Sequence, residues 1–344
     1  MRRLCLLWCV LGSVIGGSNA QAADKTPPSR AAIQKELTQA EKDFQDAKSM
    51  FNPWYTGPLL APSPHLISPG LVNIQPYLFI TGNFGRYTNS GKYESMPTLF
   101  NVNPQFIALV GVTQHMEFTL ALQADYNSQS HESSFNFADM SAGLGFQIIK
   151  EGPYIPALLF SVQESFPTGK YRNLNPNKGG VDATGSGTFG TTIALNFGKI
   201  VWWWIPKHPM NFRLSVGYTF PTMVHVEGFN AYGGGYGTNG HVHPGQSLGI
   251  DFGYEYSFTQ RWAGALDVVY KYSAASHFSG DKGVDATGAP AVVGGPFSEQ
   301  LSLAPAIEYN WNENLGFIGG VWFTVWGRNS LSFVSGILSV TYTF

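Results

Sequence analysis

The chain has 344 residues, a formal net charge of −2, 12% charged and 15% aromatic residues, and 40 glycines. Soluble domains carry about 25% charged residues, so an ordinary soluble surface is excluded, and a mean hydropathy of −0.05 excludes a bundle of apolar membrane helices. The near-neutral balance contains no basic block, so there is no electrostatic footprint for nucleic acid.

Arg2 and Arg3 precede an apolar stretch from Leu4 to Gly17 that is too short to span a bilayer, and Ala20-Gln21-Ala22 supplies small residues before a cut. Residues 1–22 are therefore expected to be a secretory signal peptide. Cys5 and Cys9, the two cysteines of the chain, both fall in it. The mature chain then has no disulfide, no Cys nucleophile, no Cys metal site and no lipid-anchored Cys. Without Arg2 and Arg3 the balance is 18 basic against 22 acidic residues.

Residues 29–51 form the one helical candidate. Ile33, Leu37, Ala40, Phe44, Ala47 and Phe51 make a heptad-like apolar stripe on a polar helix, with Ser29 as N-cap and Pro53 as stop. The stripe is expected to pack on its own protein or on a periplasmic partner; a helix that enters or plugs a barrel is the sharper alternative. Prolines 53, 58, 62, 64 and 69 make residues 53–70 an extended, semi-rigid linker. Residues 23–70 are thus expected to be a periplasmic helix and linker, and 71–344 a separate domain.

From residue 72 the chain reads as twelve strands: about 72–86, 102–114, 116–128, 135–149, 154–166, 186–198, 211–223, 246–258, 262–275, 298–310, 315–327 and 331–343. Phe212, Leu214, Val216, Tyr218 and Phe220 alternate with Arg213, Ser215, Gly217 and Thr219. Leu248, Ile250, Phe252, Tyr254, Tyr256 and Phe258 alternate with Gly249, Asp251, Gly253, Glu255 and Ser257. One face is bulky and aromatic and the other small and polar, which inverts a soluble domain and fits a wall in lipid. Connections are short near 114–115, 150–152, 259–261 and 312–314, and long over 87–101, 167–185, 224–245 and 276–297, the alternation of periplasmic turns and extracellular loops. Residues 198–210, with Trp202, Trp203 and Trp204, are long for such a turn and suit an interfacial girdle. The predicted fold is an all-β, antiparallel transmembrane barrel of about twelve strands with a short N-terminal periplasmic helix. It lies in the outer membrane with both termini periplasmic.

A closed twelve-strand barrel has a backbone radius of roughly 12 Å and a lumen on the order of 10 Å wide, enough for small molecules. The lumen face is expected to carry Glu117, Asp125, Asp139, Arg213, Asp251, Glu255, Asp267, Lys271 and Glu308. Arg213 should meet Glu255 at one height, and Asp251 should lie diagonally from Lys271. These groups are wall-stiffening ion pairs or a polar eyelet that sets selectivity; with seven acids against two bases, the eyelet would disfavour anions. Gly and Tyr crowd loop 224–245 and make it a mobile surface loop. His241 and His243, with His225 and Glu227, are only a weak metal motif there, and no cofactor is expected. The hexapeptide Gly-Val-Asp-Ala-Thr-Gly recurs at 180–185 and 283–288, and an Asx-type turn explains it. No Gly-x-Ser-x-Gly elbow or phospholipase signature is present, so no enzyme is expected.

The final strand, Leu331 to Phe344, alternates and ends with Tyr342 and Phe344 on one face. It resembles the closing strand of bacterial outer-membrane barrels, where these residues would act as the signal to the barrel-assembly machinery. Phe166-Pro-Thr-Gly-Lys-Tyr171, Gly185-Ser-Gly-Thr-Phe189, Pro244-Gly-Gln246 and Tyr254-Glu-Tyr-Ser-Phe-Thr-Gln-Arg-Trp262 are similar to motifs of the phenol-degradation meta-pathway family. The resemblance covers roughly residues 72–344. It implies an outer-membrane channel or transporter passing small, uncharged, hydrophobic or aromatic solutes. A surface barrel whose loops bind a partner is the alternative. The helix, the Pro-rich stretch and the Tyr/Gly loop depart from the family pattern.

Overall fold

The computed structural model describes residues 29–51, 54–205 and 207–344, so the expected signal peptide and Pro53 lie outside the described residues. Arg30–Phe51 form helix α1. Its start is capped as expected, the Ala32 amide donating to Ser29 Oγ at 3.2 Å. On the predicted stripe, Ile33 and Leu37 are exposed and Phe44 is buried. The helix straddles two compact units, one ending at Asp43 and the other running from Phe44 to Phe344. Within the second unit the Lys199 ammonium lies 5.1 Å from the Phe44 ring centroid.

The strands in order are β1 (Val72–Tyr87), β2 (Tyr93–Thr113), β3 (Met116–Gln129), β4 (Glu132–Phe137), β5 (Met140–Ile149), β6 (Ala157–Phe166), β7 (Gly190–Val201) and β8 (Met210–Pro221). They continue with β9 (Val224–Glu227), β10 (Asn239–His243), β11 (Ser247–Ser257), β12 (Trp262–Ser273), β13 (His277–Asp281), β14 (Ser298–Asn310), β15 (Leu315–Arg328) and β16 (Leu331–Thr343). β1 pairs antiparallel with both β2 and β16, and β2 with β3, so the main sheet closes on itself. Counting β4 and β5 as one interrupted strand gives a barrel of twelve strands, the predicted number. The seam is tied beyond β16, where Val72 and Phe344 exchange backbone hydrogen bonds of 2.8 and 2.9 Å.

Three features differ from expectation. The long loop over 87–101 is mostly strand, because β2 starts at Tyr93: Tyr87 pairs with Tyr93 and Arg86 with Glu94 (3.1 Å), and such cross-strand pairs extend the ladder. The strand predicted over 135–149 breaks at Ala138 and Asp139. β3 pairs with β4 in one half and with β5 in the other. The outer edge of β4 is covered by the 167–189 loop, from which Thr184, Thr168 and Lys178 side chains donate to the carbonyls of Phe137, Ala138 and Ser133 at 2.8–2.9 Å. Third, 224–245 is not a bare loop. It contains β9 and β10, which join β13 in a separate three-stranded sheet. One face of that sheet buries Val224, Val226 and Val242 against Tyr171, Tyr232, Phe278 and Val293. Tyr232 also donates to the Ser186 carbonyl at 2.8 Å. Burial, with help from Asp139, pushes its hydroxyl up to about 12, so it keeps that proton at physiological pH.

The two hexapeptide copies behave differently. Asp285 closes the expected Asx turn, accepting from the Thr287 and Ala289 amides. Asp182 instead accepts from Lys170 Nζ (2.6 Å) and the Asn175 amide (3.0 Å), tying the loop together. Burial pushes the Asp182 carboxyl up, but the hydrogen bond and charge of Lys170 and the Asn175 amide outweigh it and hold the group below its ordinary 3.8. A carboxyl so depressed stabilises its loop fully above the ordinary value and loses that contribution as pH falls through the lowered one. Hydrogen-exchange protection of 170–185 is therefore expected to persist at pH 5 and to fade only below 3.8. In Asp182→Asn, protection should be weaker at pH 7 and insensitive to acid over the same range.

Candidate functional site in the barrel lumen

Side chains alternate across the wall as the sequence predicts. Ile80, Phe106, Phe118, Leu122, Ile193, Leu195, Phe252, Ile307 and Leu338 are large, apolar and exposed on the outer face. The inner face is built from Gly, Ala, Ser, Thr and Asn. Small inner residues leave space, and at the end of the barrel that carries the short turns a stretch of the chain itself fills much of it.

That stretch is residues 54–68, the predicted linker. It enters beside β14, where Asn310 Nδ2 donates to the Trp54 carbonyl, Thr56 Oγ1 donates to Asn310 Oδ1 (2.8 Å) and the Thr56 amide donates to Glu308 (3.0 Å). The Tyr55 hydroxyl donates to the Pro209 carbonyl (2.9 Å) and accepts from Ser257 (2.7 Å). The Ala61 amide donates to Asp267 at 3.0 Å, and Arg213 Nη1 lies 3.5 Å from the Ala61 carbonyl. On the opposite side Gln147 donates to the Pro64 carbonyl (3.0 Å) and accepts from the Leu66 amide (3.3 Å), and the Ile67 amide donates to Glu117 at 2.9 Å. Prolines suit this course: they stiffen an extended path, and a Pro lacks the N–H that would need a partner.

Packing reinforces the polar contacts. Leu59 is buried against Ala265, Ala304, Ala306, Ile318 and Ile337, with Leu60, Tyr77, Phe79 and Trp322 around them. All these wall residues point inward, so the lumen holds a small apolar core that the segment completes. The wall opposite the segment is glycine where contact is closest. A Cβ at Gly253 would stand 2.6 Å from Pro58 Cγ and 2.9 Å from Ala61 Cβ, and one at Gly320 would stand 2.6 Å from Leu59 Cδ1. A Cβ at Gly198 would likewise collide with Pro64.

The nine predicted lumen groups fall into three sets. Glu117, Arg213, Glu255, Asp267 and Glu308 are buried around the segment. Arg213 meets Glu255 as predicted, with Nε 3.3 Å from Oε2, and Glu255 also accepts from Asn211 at 2.6 Å. Glu255, Asp267 and Glu308 are each 0% exposed, so their carboxyl groups are turned into the wall and the segment and not toward passing solute. Asp251 and Lys271 sit on facing strands in the predicted diagonal, since Gly249 pairs with Lys271 and Asp251 with Val269. They do not form the expected ion pair: the Lys271 ammonium lies 5.1 Å from the Trp322 ring centroid. Asp125 and Asp139 stand toward the long-loop end. Asp125 accepts from Asn101 and Asn103 (2.9 and 3.0 Å), and Asp139 accepts from the Gly169 and Ser186 amides (2.9 and 2.7 Å).

Beside the segment remains a cavity of about 860 Å³. Its lining runs from Thr219, Ser247 and Ser273 to Asn73, Thr341, Thr343 and Asn314 at the short-turn rim, on the side formed by β1 and β16. Tyr77 and Trp322 supply aromatic surface, while Gln75, Ser161, Gln163, Thr192 and Ser215 supply neutral hydrogen-bonding groups. Of the nine predicted groups, Glu117, Arg213, Asp251 and Lys271 line this cavity. Sequence reasoning missed Tyr55, Thr56, Leu59, Ala61 and Ile67 as lumen residues. The available signal was an inward face carrying several acids near its short turns against one nearby base, Arg213, so that some of those acids need donors from outside the wall.

No family model matches the chain, and no curated relative does. Among solved structures, the COG4313 outer membrane channel from Pseudomonas putida F1 is similar with a TM-score of 0.64 at 12% identity, covering 83% of this chain and 100% of that one. The translocator domain of the autotransporter NalP from Neisseria meningitidis gives a TM-score of 0.42 at 12% identity over 90% of this chain and 98% of that one. The CymD monoaromatic hydrocarbon channel gives 0.39 at 14% identity over 80% and 88%. At such identities the first likeness shows a shared barrel fold, the fold that the motif resemblance implies, and the two weaker ones add nothing to it.

Proposed function

We propose that the chain is an integral outer-membrane channel for small uncharged molecules, with its short-turn end in the periplasm and its long loops outside, and that residues 54–68 set its narrowest point. The observation that carries this reading is a closed barrel, apolar outside, whose continuous lumen cavity is narrowed at one end by a segment of the same chain. The likeness to an outer membrane channel supports it in fold. The apolar outer belt supports the lipid bilayer as its surroundings.

The lining supports the solute class. Glu117 and Arg213 are engaged by the segment; Asp251 and Lys271, with His65 and Glu313 nearer the short-turn rim, remain in the cavity lining, and Asp125 and Asp139 line a recess toward the long-loop end. With Glu255, Asp267 and Glu308 buried and Asp251 balanced by Lys271, the passage is less acidic than seven acids on the face suggested. Neutral amides and hydroxyls beside Tyr77 and Trp322 suit a solute with an apolar or aromatic face and hydrogen-bonding edges. In this reading Asp251 and Lys271 are the selectivity residues, and Glu117, Glu255, Asp267 and Glu308 hold the constriction.

The test is paired. Planar-bilayer recording of the purified protein should show a small conductance, and proteoliposomes should take up neutral phenolic solutes faster than benzoate-sized anions or cations. Thr341 lines the open side of the constriction, so Thr341→Trp should cut both signals severalfold while leaving the heat-modifiable mobility of the folded barrel intact. Absence of conductance and uptake in the wild type and in a variant lacking 54–68 would sink the channel reading.

A further inference from the structure

We infer that the outward face of the β9–β10–β13 sheet is a binding site for a borderline divalent transition-metal ion, Zn²⁺ foremost, with the imidazoles of His225, His241 and His243 as ligands and His277 beside them. The inference is independent of transport. It rests on register. His241 lies directly opposite His225 on β9, and His243 directly opposite His277 on β13. His241 and His243 are two apart on β10, so they share a face. Val242 between them points the other way and is fully buried with Val226. The sheet therefore buries its valine face and presents four of the chain's eight histidines on the other.

Nothing in the packing of the sheet asks for these imidazoles. They lie on the face away from its apolar core, and directly opposed like residues gain nothing as ions. Metal ligation does ask for them. Residues two apart on a strand are about 6.6–6.8 Å apart along the chain, and opposed residues about 4.5–5.5 Å. Zinc holds imidazole nitrogens at about 2.0–2.1 Å, so tetrahedral ligands stand roughly 3.4 Å from each other. A pair on one strand and a third residue opposite one of them can meet that demand. The His225 and His241 ring centroids are already 5.1 Å apart. Glu227 Oε1 lies 3.7 Å from His225 Nδ1, where a carboxylate orients a ligating ring and strengthens its other nitrogen as a donor. That other nitrogen, Nε2, now lies 3.1 Å from the Asn239 side chain.

As the side chains stand, no three such groups among the described residues surround a common point. Binding therefore requires rotation of the imidazoles, and the exposure of His241, His243 and His277 leaves their torsions free to supply it. Three nitrogen ligands with an open fourth position suit Zn²⁺, and Cu²⁺ or Ni²⁺ as surrogates. Should His277 close the site, the ion would also add a staple between two loops already joined by the β10–β13 ladder and by the Gly233–Val293 and Tyr236–Val284 bridges.

The experiment uses the untagged, detergent-purified full chain, titrated with Zn²⁺ against a chromophoric chelator. One ion per chain is expected. His241→Ala and His243→Ala should each weaken binding by on the order of tenfold or more, a loss of about 1.4 kcal/mol or above. His115→Ala, at a short turn, should not change it. With Cu²⁺ in place of Zn²⁺, the electron paramagnetic resonance spectrum should show at least three coordinated nitrogens, reduced by one in His243→Ala. Failure of the wild type to take up Zn²⁺, or unchanged affinity in both alanine variants, would overturn the assignment. So would a copper spectrum with fewer than three nitrogens.

Discussion

A chain lacking residues 54–68 is expected to conduct far more than the wild type, by on the order of tenfold, because a lumen narrowed by packed side chains becomes one roughly 10 Å across. The wall should survive the deletion. Its ladder runs from β1 round to β16 without using the segment, and the seam is tied by Val72 and Phe344. The acids that lose amide partners, Glu117, Asp267 and Glu308, gain water at once, since the vacated space opens on the lumen. A second variant separates movement from mere presence. Pro64 Cβ would stand 3.2 Å from a Cβ at Gly198, slightly short of the separation in a disulfide, about 3.5–4.5 Å. Both natural cysteines, Cys5 and Cys9, lie in the first 22 residues, so in a chain purified without those residues Pro64→Cys with Gly198→Cys provides an otherwise clean thiol pair. Oxidised, the pair should hold conductance at or below the wild-type level. If reduction raises uptake above that of the oxidised protein, the segment moves during transport; if reduction leaves it unchanged, solute passes beside a fixed constriction. A deletion variant with wild-type conductance would show that 54–68 does not limit the passage.

The wall was legible in the sequence because its signal is local and repeated. Alternation along Phe212–Phe220 and Leu248–Phe258 is visible in any window of nine residues, and register follows from short turns such as 259–261. The Arg213–Glu255 meeting could be anticipated across a long connection because the two residues sit at matching ends of adjacent antiparallel strands. The constriction was not legible, for a physical reason. Residues 54–68 have no period, and their side-chain partners lie on β3, β5, β8, β11, β12 and β14, between 50 and 256 positions away. Prolines announced an extended path but not where it would run. The sheet of β9, β10 and β13 was missed for a related reason. Its strands have four or five residues, too few for a period to stand out, and β13 pairs with β10 across more than thirty intervening residues. The interruption at Ala138 and Asp139 left the 135–149 pattern almost intact. It shows only in the change of β3 partner from β4 to β5. His277 had no reason to be grouped with His225, His241 and His243 until that pairing was known.

Replacing Arg213 by Met should unseat the segment without removing a residue of it. Among the described residues, Arg213 is the one cation at ion-pair distance from Glu255, and its guanidinium also reaches the Ala61 carbonyl. Methionine keeps much of the side-chain bulk and removes the charge. Glu255, Asp267 and Glu308, all fully buried, then lose the guanidinium beside Glu255. Breaking a buried ion pair by removing one partner costs about 3–5 kcal/mol, most of it from the charge left behind. In a soluble core that cost would fall on the whole fold. Here a less costly response exists: the segment lifts away and water enters from the cavity beside it. Arg213→Met should therefore raise conductance toward the deletion level and expose 54–68 to protease, while the folded barrel keeps its heat-modifiable mobility. The double variant Arg213→Met, Glu255→Gln provides the decisive comparison. Replacing both partners leaves no orphaned charge at that point, and such double replacements are commonly close to neutral. Asn211 can still donate to the new amide oxygen. Conductance should then return most of the way to the wild-type level. If the double variant stays as open as Arg213→Met, the guanidinium acts through its shape and its reach to Ala61, and the charge argument for the seat of the segment fails.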